Sequence, residues 1–151
     1  FYFINKKSWK EYITDSLINK EDNFGHVYTN VLTKAAIVGH NGLIWANFSI
    51  NISVDECKAL KSFFAQNVNS IPSIFLGGKK YNVIYYEQGA FAYLKITDGG
   101  ATVAKTNQAY IIGVYNTLNK LKKDGIEQAQ CIGICNTVVE DLSLQLKQQG
   151  Y

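Results

Sequence analysis

From residue 73 onward the chain is a succession of short β-prone segments cut by tight-turn residues, and this spacing leaves few folds open. Ser73–Leu76 stops at Gly77-Gly78, and residues 80–87 are rich in Tyr, Val and Ile. Ala90–Ile96 follows, with Asp98-Gly99-Gly100 as a turn. Ala101–Lys105 alternates and turns at Thr106-Asn107, and Ala109–Tyr115 is strongly β-prone. Segments about ten residues apart with tight turns predict an antiparallel meander. Pro72, the single proline, stands just ahead of the run, where a missing ladder donor costs least.

The remainder supplies helices and one more hairpin. Ser8 and Glu11 are spaced as a capping box, and Trp9, Ile13 and Leu17 recur near helical spacing, with Tyr12 adjacent. Residues 20–33 are polar and irregular and read as a loop. Ala35–His40 and Leu43–Ala46 flank Asn41-Gly42, a strong hairpin signal. A second box, Ser53 with Glu56, opens a helix whose apolar face is Leu60, Phe63 and Phe64. Residues 116–130 carry Lys120, Lys122, Lys123, Asp124 and Gly125 and read as a long exposed loop, with Leu118 and Leu121 supporting one helical turn. Cys135–Tyr151 reads as a closing helix with the stripe Val138, Val139, Leu142, Leu146 and a stop at Gly150. The expected architecture is α+β: a central antiparallel sheet, the two terminal helices together on one face and the middle helix on the other. At 151 residues this is a single domain, 1–151, with a short N-terminal extension, 1–7, and an inserted loop, 116–130.

Composition excludes several function classes. The net charge of +3 is mild, and all 15 basic residues are Lys. Without Arg there is no planar fork for bidentate contacts to guanine, which argues against sequence-specific nucleic-acid binding. Cys57, Cys131 and Cys135 do not form a disulfide framework, and with only His26 and His40 beside them no metal site is expected. No nucleophile–base constellation or phosphate loop appears in the right context, since no helix signal follows Gly77-Gly78-Lys79; no catalytic residue and no cofactor are assigned. No apolar run approaches the roughly 18 residues of a membrane span, and Phe1–Ile4 is too short for a signal-peptide core, so a cytoplasmic protein is expected.

Taken in order, several stretches resemble the profilin family, most closely its plant-type and protist-type members. They are Ser8-Trp9 with Tyr12; Ala35–Gly42 leading to Trp45-Ala46; Phe75–Tyr81; Gly99-Gly100 with Lys105-Thr106; Cys135–Glu140; and Gln149-Gly150. The resemblance covers residues 8–151. It implies a monomeric, actin-monomer-binding protein that regulates polymerisation, docks proline-rich partners such as formins, and meets phosphoinositide head groups.

A polyproline II segment lacks backbone donors and presents rigid carbonyls and ring faces, so its receptor needs flat aromatics carrying outward donors. From the residues alone Trp9, Tyr12 and Trp45 read as ordinary core aromatics. The resemblance makes them an aromatic floor, with Trp9 and Tyr12 side by side on one helix. Where the family's last helix carries an aromatic or His, this chain has Gln145; Leu146 and Tyr151 are expected to compensate. The resemblance also implies an actin face of Lys80, Tyr85, Tyr93 and Lys95 with Asn136 and Glu140 from the last helix. Tyr85 and Tyr93 replace residues that are polar or basic in many relatives. The stretch 116–130 is longer than in most members and leads into the helix of that face. An alternative reading is a profilin-fold scaffold with weak or no actin binding. The Lys clusters at 6–7, 79–80 and 120–123 would attract anionic head groups non-specifically.

Overall fold

A computed structural model of the chain describes residues 7–65 and 73–151, so the expectations for Pro72 and for most of the N-terminal extension lie outside the described residues. Ser8 caps α1 (Trp9–Ile13): its hydroxyl accepts from the Glu11 amide at 3.2 Å, and the Glu11 carboxylate accepts from the Ser8 amide. The helix then widens into a π-helical turn, Thr14–Ile18, in which the Asn19 amide reaches back five residues to the Thr14 carbonyl. Residues 20–33 are not simply a loop. They hold β1 (Lys20–Glu21) and β2 (Val27–Thr29), which are too short for alternation to show in the sequence.

β3 (Lys34–Gly39) and β4 (Ile44–Phe48) form the expected hairpin, with Gly42 at φ +87°. Ser53 and Glu56 make the second capping box at α2 (Val54–Ala65), each accepting the other's amide at 3.0 Å. The Glu56 carboxylate also accepts from the Gly77 and Gly78 amides at 3.1 and 2.7 Å, tying α2 to the meander's first turn.

The meander is β5 (Ser73–Leu76), β6 (Lys79–Glu87), β7 (Phe91–Ile96), β8 (Gly99–Lys105) and β9 (Ala109–Asn116). Gly99 and Gly100 belong to β8 rather than to the turn before it. An added β-carbon would stand 2.5 Å from the Tyr115 carbonyl at Gly99 and 2.3 Å from the Leu94 carbonyl at Gly100. The turn's positive φ falls on Asp98 instead.

The long exposed loop expected at 116–130 is corrected to a hairpin, β10 (Lys120–Lys123) and β11 (Ile126–Ala129). Asp124 and Gly125 both take positive φ, as a two-residue turn between twisted strands requires. There is no helical turn: Leu121 is fully buried in β10, whereas Leu118 is exposed. Asp124 accepts from the Val27 amide at 2.8 Å and pairs with His26 Nδ1 at 2.7 Å, and these two bonds hold its carboxyl below the ordinary range. α3 (Ile132–Gln148) begins three residues earlier than expected, with Cys131 extended at its N-cap.

The strands form a seven-stranded antiparallel sheet, ordered β4-β3-β9-β8-β7-β6-β5, and a four-stranded one, β1-β2-β10-β11. Leu60, Phe63 and Phe64 of α2 pack on one face of the large sheet with Val103, Ile112 and Leu94. Ile13 and Leu17 join Val139 and Leu142 of α3 on the other, with Ile37 and Ile111. The terminal helices therefore share one face and the middle helix takes the other. α3 packs on β8 and β9. On that same face, Phe75, Tyr85 and Lys95 of β5, β6 and β7 remain exposed.

Candidate functional site

Two surfaces gather the residues singled out by the sequence. At the first, α1 and the β3–β4 hairpin bring their tryptophans together: the Trp9 and Trp45 ring centroids are 4.5 Å apart. Tyr151 meets Trp9 edge-on at 5.0 Å, and Tyr12 tilts against Trp9 at 5.5 Å. Trp9, Trp45 and Tyr151 are half-buried, which leaves ring surface open on a rigid base. Tyr151 is fastened there: its carbonyl accepts from the Gln108 amide at 2.6 Å and from the Thr106 hydroxyl at 3.0 Å.

Two residues expected at this surface sit differently. Leu146 is fully buried, so it supports the rings from below and offers nothing to a ligand. Tyr12 is 7% exposed; the Lys7 ammonium lies 5.9 Å over its ring, and its hydroxyl donates to Gln149 Oε1 at 2.9 Å. Gln149 was not foreseen from the sequence, although its place four residues after Gln145 puts both amides on one side of the helix end. Gln145 is half-buried.

The second surface is the part of the sheet beside α3. The register pairs Tyr85 of β6 with Tyr93 of β7, their rings 5.3 Å apart. Phe91, unforeseen but two residues before Tyr93 on the same strand face, stacks on it at 5.2 Å. The Tyr93 hydroxyl donates to Glu140 of α3 at 3.1 Å. Burial first, and then this bond, push Tyr93 up to about 12. Asn136 accepts from the Thr102 hydroxyl, which anchors it to β8. Lys80 and Lys95 are exposed on β6 and β7. Alternation puts both on the face of Tyr93, because Tyr81 and Leu94 point to the α2 core. The two strands and the helix thus offer one surface of aromatics, Tyr85 exposed and Phe91 and Tyr93 half-buried, with lysines along it and a carboxylate at its edge.

The lysine clusters are not gathered into one basic site. Lys79 and Lys80 lie on β6 of the large sheet; Lys120 and Lys122 lie on β10 of the small one, and Lys123 is spent over the Tyr28 ring at 5.6 Å. Lys6 is outside the described residues.

Burial pushes the Cys135 thiol up to about 12 and raises Cys57, which suppresses thiolate at neutral pH. Burial lowers His40, whose Nε2 lies 3.1 Å from the Ala109 carbonyl. Among the described residues no three His, Cys, Asp or Glu side chains are grouped to hold a metal ion, and no helix is long and apolar enough to cross a membrane.

Comparison with known proteins places these surfaces in context. The family model for profilin matches residues 7–151. The crystal structure of Acanthamoeba castellanii profilin II is 30% identical, with a TM-score of 0.71, covering 95% of this chain and 100% of that one. Two complexes share the fold at lower identity. Mouse profilin IIa with a double repeat from the FH1 domain of mDia1 is 16% identical, with a TM-score of 0.57, covering 80% of this chain and 90% of its own. LokiProfilin1 with rabbit actin is 17% identical, with a TM-score of 0.58, covering 78% and 84%.

Proposed function

Because this chain belongs to the profilin family, we propose that it binds monomeric actin on the Tyr85–Tyr93–Glu140 surface and proline-rich segments, such as those of formins, on the Trp9–Trp45–Tyr151 floor. The observation that carries this reading is the Trp9–Trp45 contact, with ring centroids 4.5 Å apart and planes tilted by 39°, and Tyr151 edge-on: three half-buried rings that form one apolar patch with ring surface open. Such a patch suits ring-rich polyproline II chain, which has no donors to satisfy. Likeness to a profilin bound to an FH1 repeat and to one bound to actin supports both halves.

The mechanism is non-covalent and the protein no enzyme. It holds one actin monomer, regulates polymerisation, and presents that monomer to a proline-rich partner bound elsewhere on the same cytoplasmic, monomeric molecule. Lys80 and Lys95 face an acidic partner, and the Tyr85, Phe91 and Tyr93 rings supply apolar area. Lys79, Lys80, Lys120 and Lys122 give anionic phosphoinositide head groups only a diffuse, salt-screened attraction.

One observation favours a second reading, a scaffold that docks proline-rich partners with weak or no actin binding. The β10–β11 hairpin runs directly into α3, the helix that carries Asn136 and Glu140. Titration of the protein against monomeric actin separates the two. Binding at micromolar concentration or tighter, weakened by Lys95→Glu, supports the first; no binding with proline peptides still held supports the second. For the floor, Trp9→Ala and Trp45→Ala are each expected to weaken proline-peptide binding about tenfold or more in a folded protein. Unchanged affinity in both sinks the assignment.

A further inference from the structure

Polyproline II backbone recognises a receptor only through carbonyl oxygens, so a receptor must supply hydrogen-bond donors. In this chain the Tyr12 hydroxyl is already committed, since it donates to Gln149 Oε1 at 2.9 Å, and Tyr12 itself is only 7% exposed. An amide carries both an acceptor and two donors on one planar group. With Oε1 accepting from Tyr12, the Nε2 group of this exposed side chain remains as a donor, and among the described residues it donates to no protein acceptor. Gln149 is exposed at the C-cap of α3, beside the Trp9 and Tyr12 pair. Its backbone is held by the Gln145 and Leu146 carbonyls at 3.2 and 3.1 Å.

We propose that Gln149 adds a donor to those of the Trp9 and Trp45 indoles and the Tyr151 phenol, one through which the floor reads a carbonyl of a polyproline II ligand, with Tyr12 as the positioning residue that orients the amide. This rests on the proline-binding reading of the floor and assigns its specificity. The geometry works as a relay of orientation. The Tyr12 ring is pinned by Trp9 and by the Lys7 ammonium, its hydroxyl fixes Oε1, and the planarity of the amide then fixes Nε2. A freely rotating glutamine loses side-chain freedom on meeting a ligand; one already held by a phenol loses less. A carboxylate at this position would still accept from Tyr12 and would present only a negatively charged acceptor to the ligand carbonyl.

The test is titration of a synthetic L-proline decamer against the full chain, followed by the fluorescence of its two tryptophans, both of which lie in the floor. Gln149→Ala and Gln149→Glu are expected to weaken binding about three- to tenfold, the size of one net hydrogen bond, with thermal midpoints unchanged. Tyr12→Phe keeps the ring and frees the amide, and is expected to weaken binding by a smaller factor. In the Tyr12→Phe background Gln149→Glu should cost less than it does alone, because the two residues act through one bond. Wild-type affinity in Gln149→Glu with a loss in Trp9→Ala overturns the donor role and leaves the floor standing. Wild-type affinity in Trp9→Ala and Trp45→Ala overturns the floor and this assignment with it. A full loss in Tyr12→Phe with none in Gln149→Ala makes the phenol itself the donor and overturns the proposal.

Discussion

Val139 of α3 rests on Gly113 of β9 so closely that a β-carbon added to the glycine would stand 2.6 Å from Val139 Cγ2. The same carbon would be 2.8 Å from Leu32 Cδ1, so it is confined from two directions. The Gly113 carbonyl also accepts from the Cys135 thiol at 3.4 Å. Side chains of the helix therefore rest directly on the backbone of the sheet, and the seat of α3 depends on an absent side chain.

Gly113→Ala is expected to destabilise the fold by about 1–3 kcal/mol, the usual range for overpacking a closed core. Urea unfolding measures it. The companion change Val139→Ala should recover part of the loss in the double variant, since the clash is shared between the two residues. Additive losses would show that α3 has room to shift.

Gln130 is the polar knot at the foot of the β10–β11 hairpin. Fully buried, it accepts at Oε1 from the Thr33 hydroxyl at 2.6 Å and the Asn116 amide at 3.0 Å, and donates from Nε2 to the Asn30 carbonyl at 2.9 Å. Gln130→Leu fills a similar volume and leaves those partners unanswered. The expected cost is about 1–3 kcal/mol. Hydrogen exchange should localise the loosening to residues 27–33 and 116–130; uniform loosening, or none, would contradict a local clasp.

Tyr93 gives a pH signature. Its pKa is pushed up to about 12, by burial first and then by its bond to Glu140. Folded pKa above unfolded means that the contribution to stability is complete below the ordinary tyrosine value of 10.0 and is lost as pH rises through about 12. Tyr110, raised to about 12 by burial, belongs to the same late phase. Ultraviolet titration of phenolate should show a late group from which Glu140→Gln draws one tyrosine to lower pH and leaves Tyr110 in place. An unmoved late phase would assign the shift to burial alone.

The large sheet and both capping boxes were legible because each rests on a local signal: a turn dipeptide, a Ser–Glu spacing, or an alternation long enough to count. The small sheet was not, because its strands run two to four residues and pair across distant chain, Lys123 with Tyr28. Asp124-Gly125 did carry the hairpin's turn signal, but the lysines around it read as a solvated loop. The aromatic residues came with the family resemblance, whereas their burial did not. Spacing cannot say that Leu146 lies beneath the rings, nor that Tyr12 spends its hydroxyl on Gln149. Such facts depend on how the chain's last residues fold back over its first helix.

The strand order has a consequence for how the two surfaces relate. Trp45 rides on β4, at one edge of the large sheet, and Tyr85 on β6, five strands away in the order β4-β3-β9-β8-β7-β6. At a spacing of about 4.8 Å per strand the separation is about 24 Å. A continuously hydrogen-bonded sheet does not stretch over that span, so it acts as a ruler. Whatever is held at one edge is delivered at a set distance and angle from whatever is held near the other, with no hinge between them to average the geometry away.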